Sequence, residues 1–480
     1  METIGLGMFP LLALVILVSG IPAWLALIAT ALIFALGGIA FGALTLPVLT
    51  ALPYRVIGLL EHDLLQALPL YVLMGVLLNH LPLSATLFKV GRRALAFTGA
   101  APQLTGLGLG VLLAPMNGSV GASVAMLGRT VTPRLAASGV SAERSSALVA
   151  VASTFGVVVP PSLVLILLAD TMMRAHTEAV NVTHAAGRII NTQDIFLGAL
   201  LPAAALLALH LGITLWQGRN DGKGLAPGAV EKPAWREWLT ALLTIVFIGG
   251  LLGAVVTGSL YAVEAAATGG VALFLFGLLS GHFKRGVLKA VLRDTMAISG
   301  SLFALLIGAT TFTLVLRAFE TDRWIAAALS GLAGGEMVVL AVVLGGLAAC
   351  SFVLDAFEII FVVLPVVMPP LLMRVPDATW VAVLTLLILQ TSFMVPPFGY
   401  AILMVRIHQA RLLSNRRLLA ALLPYLLAQL VVVLAVCAFP AIVSRGQAEV
   451  VAPVEGSIAD ALAEDARQSE LLQSQQIPGK

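Results

Sequence analysis

The sequence predicts an all-α polytopic membrane protein built as an inverted repeat, and three observations carry that prediction. Of 480 residues, 60% are hydrophobic and only 11% charged, with a mean hydropathy of +1.04. Soluble domains carry roughly 25% charged residues, and a sphere of this mass lacks the interior to hide so much apolar surface. Several windows of about 18 to 25 residues run almost without charge, the length a helix needs to cross about 30 Å of hydrocarbon. Finally, two apolar blocks break at their centres, and each is followed by a block that carries a proline pair.

Taken in order, Phe9 to Gly42 is the first apolar stretch. Met1 to Gly20 lacks a basic leader and a small-residue cleavage site, so it reads as a retained first helix rather than a signal peptide. The stretch to residue 98, with its polar patch at Glu61, His62 and Asp63, reads as scaffold. The 27 Lys and Arg against 24 Asp and Glu leave a charge of +3. Such a small basic excess belongs to cytoplasmic loops, and no nucleic-acid partner is implied.

Basic clusters mark the cytoplasmic side: Lys89/Arg92/Arg93, Arg219/Lys223/Lys232/Arg236, Lys284/Arg285/Lys289/Arg293 and Arg406/Arg411/Arg416/Arg417. Leu239 to Val256 and Leu260 to Gly281 cross twice between the second and third, so parity holds there. Between the first and second lie three blocks, Ala101 to Ala136, Ser145 to Asp170 and Phe196 to Trp216, and one of them must not cross. The first is interrupted by Ala114-Pro-Met-Asn-Gly-Ser-Val-Gly121, which suits a re-entrant hairpin turning at Asn117 and Gly118 and opening to the cytoplasm. The same parity applies to Thr295 to Arg317, Glu336 to Arg374 and Val381 to Met404. There the middle block breaks around Ser351 to Glu358, giving a second hairpin that enters from the exterior. Two hairpins of opposite orientation are the signature of an inverted repeat.

After each hairpin comes a helix with a proline pair: Ala152-Ser-Thr-Phe-Gly-Val-Val-Val-Pro-Pro161 and Gln390-Thr-Ser-Phe-Met-Val-Pro-Pro397. Proline removes a donor and biases the preceding residue away from the α region, so each helix is expected to unwind there and free carbonyls. The chain thus divides into scaffold helices over 1–98 and a first repeat over 99–216, with its hairpin at 101–136 and broken helix at 145–170. A cytoplasmic linker at 217–236 and scaffold helices at 237–294 follow. A second repeat covers 295–410, with its hairpin at 336–374 and broken helix at 378–404; a last membrane helix at 411–443 and a polar tail at 444–480 complete the chain.

The candidate chemistry lies at the breaks. Asp355 and Glu358 stand three apart on one helical face inside the second hairpin, where a charge at mid-bilayer costs about 2.5 to 3.5 kcal/mol. Ion coordination, proton coupling or site architecture is one reading, and capping of the hairpin's helix ends is the other. Asn117, Ser119 and Ser123 surround the first turn. A glycine-serine turn that merely allows close packing would look similar, but together with Ser153/Thr154 and Thr391/Ser392 these oxygens favour a sodium site. Glu264 fits a cap or a functional acid equally well. Arg129, Asp170, Arg317 and Arg406 read as interfacial charges near helix ends, and Cys350 and Cys437 as small buried hydrophobes.

No phosphate-binding loop, zinc-protease, dithiol or serine-hydrolase motif occurs in the sequence, so neither ATP drive nor those enzyme chemistries has a basis. An ion-coupled carrier that performs no covalent chemistry and needs no cofactor is expected. An intramembrane enzyme using Asp355 and Glu358 would lack a nucleophile, and a passive channel would be independent of any sodium gradient.

The strings Leu113-Ala-Pro-Met-Asn-Gly-Ser-Val-Gly-Ala-Ser-Val-Ala-Met-Leu127, Ala152 to Ser162, Asp355-Ala-Phe-Glu-Ile-Ile and Leu389-Gln-Thr-Ser-Phe-Met-Val-Pro-Pro-Phe-Gly399 resemble the large permease subunit of tripartite ATP-independent periplasmic (TRAP) transporters. The likeness covers nearly the whole chain. It implies a sodium-driven elevator in the bacterial inner membrane, with hairpins and broken helices mobile against a scaffold shared with a small membrane subunit, and a periplasmic binding protein delivering a small organic acid. Carried over by motif, the ion and substrate site would comprise Asn117, Gly118, Ser119 and Ser123, then Ser153 and Thr154, then Asp355 with Glu358, then Thr391, Ser392 and Gly399. Sodium would fall at Ser119, Ser153, Thr154, Asp355, Thr391 and Ser392. The first tip departs from the serine-rich form of many members, with Pro115, Met116 and Asn117 leading. The Asp355 and Gln390 motifs are similar to the branch associated with 2-oxo acids and lactate. The nearest alternative is a stand-alone ion-coupled carboxylate carrier of similar fold.

Overall fold

A computed structural model describes residues 3–61, 63–117, 119–160, 162–183, 189–219, 232–283, 285–396, 399–408 and 413–444. Gly118, His62, the stretch 220–231 of the linker, Lys284, Arg411, the tail from 445 and one proline of each pair (Pro161, Pro397) lie outside the described residues. Those described form helices and turns without a strand. Among the described residues, eight helices are long and apolar enough to cross a membrane, or nine if the bent pair Pro47–Leu60 and Leu65–His80 is one span.

The N-terminal stretch divides into Met8–Ser19 and Ala23–Ala40, broken where Gly20 takes φ +62° and Pro22 cannot continue a helix. The Ala23–Ala40 and Asp63–His80 helices pack against a long helix, Arg285–Ala318, which also crosses position 294/295 without interruption. Trp235–Val256 and Ala262–Leu279 are the paired spans between them. Glu237 and Glu264 each accept a hydrogen bond from the backbone N–H three residues earlier, at 2.7 and 2.9 Å. Glu264 is therefore a helix cap, one of the two roles its position allows.

The first broken block runs as Ala101–Leu113, a tight 3-10 turn at Ala114–Asn117, and Val120–Thr130, started by Ser119, whose hydroxyl accepts the Ala122 N–H at 3.1 Å. The second arm returns along the first: a β-carbon on Gly106 would come within 2.7 Å of Val131 Cγ1. Next come Ala142–Val158, capped by Ser141, and Leu163–Thr183, separated by a break at Val159 to Ser162. Asp170 lies inside the second of these helices, paired with Arg174 at 3.1 Å, and not near a helix end as its sequence context suggests.

The second half repeats this order. Glu336–Cys350 ends in an irregular turn, Asp355 opens the returning arm, and Ile359–Val363 is wound as a π-helical turn ahead of Leu364–Arg374. The Arg374 guanidinium donates to the Ser330 and Gly334 carbonyls at 2.8 and 3.2 Å, tying the end of the returning arm to the start of the outgoing one. Ala378–Phe393, capped by Asp377, then breaks before Tyr400–His408. The Thr192–Gly218 and Asn415–Ala438 helices pack against each other and against the two broken helices.

Candidate functional site

At the first tip, Asn117 is buried and Ser123 has no exposed surface. The Asn117 Nδ2 donates to Ser123 Oγ at 3.3 Å, and that hydroxyl points at the carbonyls of Ser119 (3.0 Å) and Ala114 (3.4 Å). Asn117 Oδ1 has no partner among the described residues. A buried acceptor left without a donor costs about 1 to 3 kcal/mol.

The tip rests on the first broken helix. A β-carbon on Gly156 would stand 2.7 Å from the Ala114 carbonyl oxygen, and one on Gly110 would stand 2.5 Å from Ala152 Cβ. Only glycine permits approaches this close. Ser153 and Thr154 are fully buried there, their hydroxyls donating to the carbonyls of Val149 (2.7 Å) and Val151 (2.9 Å). With the hydrogens directed at their own helix, the oxygen lone pairs remain available.

The second broken helix has the same device. Thr391 and Ser392 donate to the carbonyls of Leu387 (2.6 Å) and Ile388 (2.8 Å). The chain then turns sharply, and Gly399 is the residue that lets it: a β-carbon there would lie 2.5 Å from the Phe393 carbonyl oxygen. The two broken helices touch one turn before the first break and at the start of the second, with Thr154 Oγ1 3.5 Å from Met394 Sδ. The returning arm of the first hairpin packs on Tyr400–His408, where a β-carbon on Gly121 would stand 3.0 Å from the Tyr400 hydroxyl.

Asp355 and Glu358 take a more local part. Asp355 Oδ1 accepts from the Glu358 N–H and Glu358 Oε2 from the Asp355 N–H, both at 3.0 Å, a reciprocal cap of the returning arm. The structure thus packs the first tip, with Asn117, Ser119 and Ser123, on the broken helix of Ser153 and Thr154, and brings that helix against the one that carries Thr391, Ser392 and Gly399 through Thr154 and Met394, whereas Asp355 and Glu358 bond to each other. Met394 and Tyr400 are the contact residues that sequence reasoning left unassigned; their position directly at the second break is the signal that singles them out.

Against known proteins, the family model described as tripartite ATP-independent periplasmic transporter, DctM component, matches residues 10–442. The chain is 24% identical over 444 residues to the sialic acid TRAP transporter permease protein SiaT of Haemophilus influenzae, covering 90% of this chain and 66% of that protein. It is 23% identical to the isethionate TRAP transporter permease protein DctMQ of Oleidesulfovibrio alaskensis, covering 78% of this chain and 57% of that one. To the C4-dicarboxylate large permease protein DctM of Rhodobacter capsulatus it is 21% identical, over 71% and 77% of the two chains. It thus spans less than two-thirds of the first two relatives. Among solved structures, the Alcanivorax borkumensis YdaH transporter superposes with a TM-score of 0.59 at 19% identity, covering 82% of this chain and 88% of that one. That is a likeness of fold.

Proposed function

From the premise that the chain belongs to the DctM component family of tripartite ATP-independent periplasmic transporters, we propose that it is the permease through which sodium drives the import of a small organic anion. The family is one of transporters rather than enzymes, and its multi-pass inner-membrane setting agrees with the apolar spans. The observation that supports the sodium reading is the buried, unpartnered Asn117 Oδ1 on a tip packed against the first broken helix, together with two hydroxyl pairs on the two broken helices, which touch through Thr154 and Met394. Sodium is a hard cation that such amide, hydroxyl and freed carbonyl oxygens suit, and discontinuous helices in inverted repeats provide them.

The relatives' named substrates, sialic acid, isethionate and C4-dicarboxylates, are all organic anions, which supports an anionic substrate here. Small monocarboxylates such as 2-oxo acids or lactate fit the motif around Asp355 and Gln390. Backbone amides at the hairpin tips can meet a carboxylate as helix N-termini do. Sodium bound between the tips orders them, so ion and anion binding reinforce each other, and the hairpins and broken helices move together as an elevator. A small membrane subunit completes the scaffold, and a periplasmic binding protein supplies the anion.

The test is uptake of radiolabelled pyruvate, lactate, succinate and isethionate into proteoliposomes that hold the chain with its small subunit. Receptor and an inward sodium gradient are each present or absent. Uptake of one anion requiring both is expected. Uptake with sodium but without receptor would instead identify a stand-alone carrier, and uptake indifferent to sodium would overturn the coupling.

A further inference from the structure

Two glutamines lie fully buried, Gln390 on Ala378–Phe393 and Gln429 on Asn415–Ala438. Placing an amide in an apolar interior costs free energy unless it is hydrogen-bonded, and the neighbours of Gln429 on the last helix are almost all Leu, Val and Ala. The pair is joined on one side: Gln429 Nε2 donates to Gln390 Oε1 at 3.0 Å and reaches the Leu387 carbonyl at 3.4 Å, while Gln390 Nε2 and Gln429 Oε1 have no partner among the described residues. That same carbonyl accepts the Thr391 hydroxyl at 2.6 Å. A chain of contacts therefore runs from the last helix, through one carbonyl, to the Thr391 hydroxyl beside the second break.

The connection is reinforced at two further levels. Two turns along, Trp380 Nε1 donates to the Val436 carbonyl at 2.8 Å. One turn the other way, Tyr425 shares a hydrogen bond of 2.9 Å with Thr214, and its ring meets His210 edge-on at 5.3 Å. His210 in turn stands 5.5 Å from Phe155, the residue after Thr154. Tyr425 and Gln429 are four apart and so share a helix face, which serves the neighbourhoods of both hydroxyl pairs.

We propose that Gln429 is a positioning residue for the cation site at Thr391 and Ser392, controlling sodium affinity from a helix that itself contributes no ligand. The assignment rests on the sodium reading above. By fixing the Leu387 carbonyl, Gln429 fixes the direction of the Thr391 hydroxyl hydrogen, and hence which way the oxygen lone pairs face. Without it, Gln390 Oε1 loses its donor and the whole Gln390 amide, whose Nε2 already lacks a partner among the described residues, is left unpaired. It then competes for the nearest hydroxyl hydrogen.

The test compares wild type, Gln429→Leu and the double variant Gln390→Leu/Gln429→Leu by uptake at graded sodium and by the sodium-induced rise in Tm of the purified protein. Gln429→Leu is expected to raise the half-saturating sodium concentration about tenfold, the scale of one lost buried hydrogen bond, with the substrate KM at saturating sodium unchanged. The double variant leaves no orphaned amide. It is expected to recover wild-type Tm in the absence of sodium yet keep the weakened sodium dependence. If the double variant restores the sodium dependence too, or if folded Gln429→Leu responds to sodium as wild type does, the assignment falls while the transport reading stands. Should the single variant not fold, the double decides. If wild type itself shows no sodium response in either readout, the sodium reading fails and takes this assignment with it.

Discussion

Asp355 faces two demands at once. Its carboxylate closes the reciprocal cap with Glu358, a role an asparagine fills about as well, whereas alanine forfeits about 1 kcal/mol. The sodium reading asks in addition for its negative charge. Asp355→Ala is therefore expected to lower Tm and weaken sodium dependence together, while Asp355→Asn keeps Tm and weakens sodium dependence alone. Thermal unfolding alongside uptake at graded sodium separates the two, and an Asp355→Asn protein with a wild-type sodium curve would reduce the residue to a cap. Sequence spacing alone left both roles open, because an acid three residues before another at a helix start satisfies either. Asn117 and the hydroxyl pairs were legible from their proximity to glycine and proline. Gln429 was not, since a lone glutamine in a leucine-rich span acquires meaning only through the helix packed beside it.

Among elements, the first hairpin and first broken helix form one closely packed unit. Glycines make the contact: Gly156 lies beneath the Ala114 carbonyl and Gly110 against Ala152, whereas a β-carbon on Gly108 would meet nothing within 4 Å. Overpacking at a backbone contact costs about 1 to 3 kcal/mol. Gly156→Ala is thus expected to lower Tm by several degrees and Gly108→Ala to leave it unchanged, measured by thermal unfolding in detergent; equal effects would contradict the packing described. The long apolar spans were legible because length and hydropathy suffice for them, as with Leu239 to Val256 inside Trp235–Val256. What escaped was continuity and direction inside apolar runs. Phe9 to Gly42 divides at Gly20, and Arg285–Ala318 continues through charged residues at its start, because neighbouring helices rather than local composition decide where such runs bend.

In the molecule as a whole, the same order of hairpin and broken helix occurs twice, and the two copies meet at Thr154 and Met394. The sequence signalled this order through proline pairs and interrupted apolar blocks. It held no signal for the cross-contacts, which join residues 240 apart. We propose that the two hairpins enter the membrane from opposite faces and converge on one ion site. It is tested most directly by single cysteines at their feet, Ala137 for the first and Ala333 for the second, both exposed, in a chain whose Cys350 and Cys437 are replaced by alanine. With a membrane-impermeant maleimide added to intact inner-membrane vesicles of known orientation, Ala137→Cys is expected to react only from the cytoplasmic face and Ala333→Cys only from the opposite face. Reaction of both from the same face would contradict the inverted arrangement.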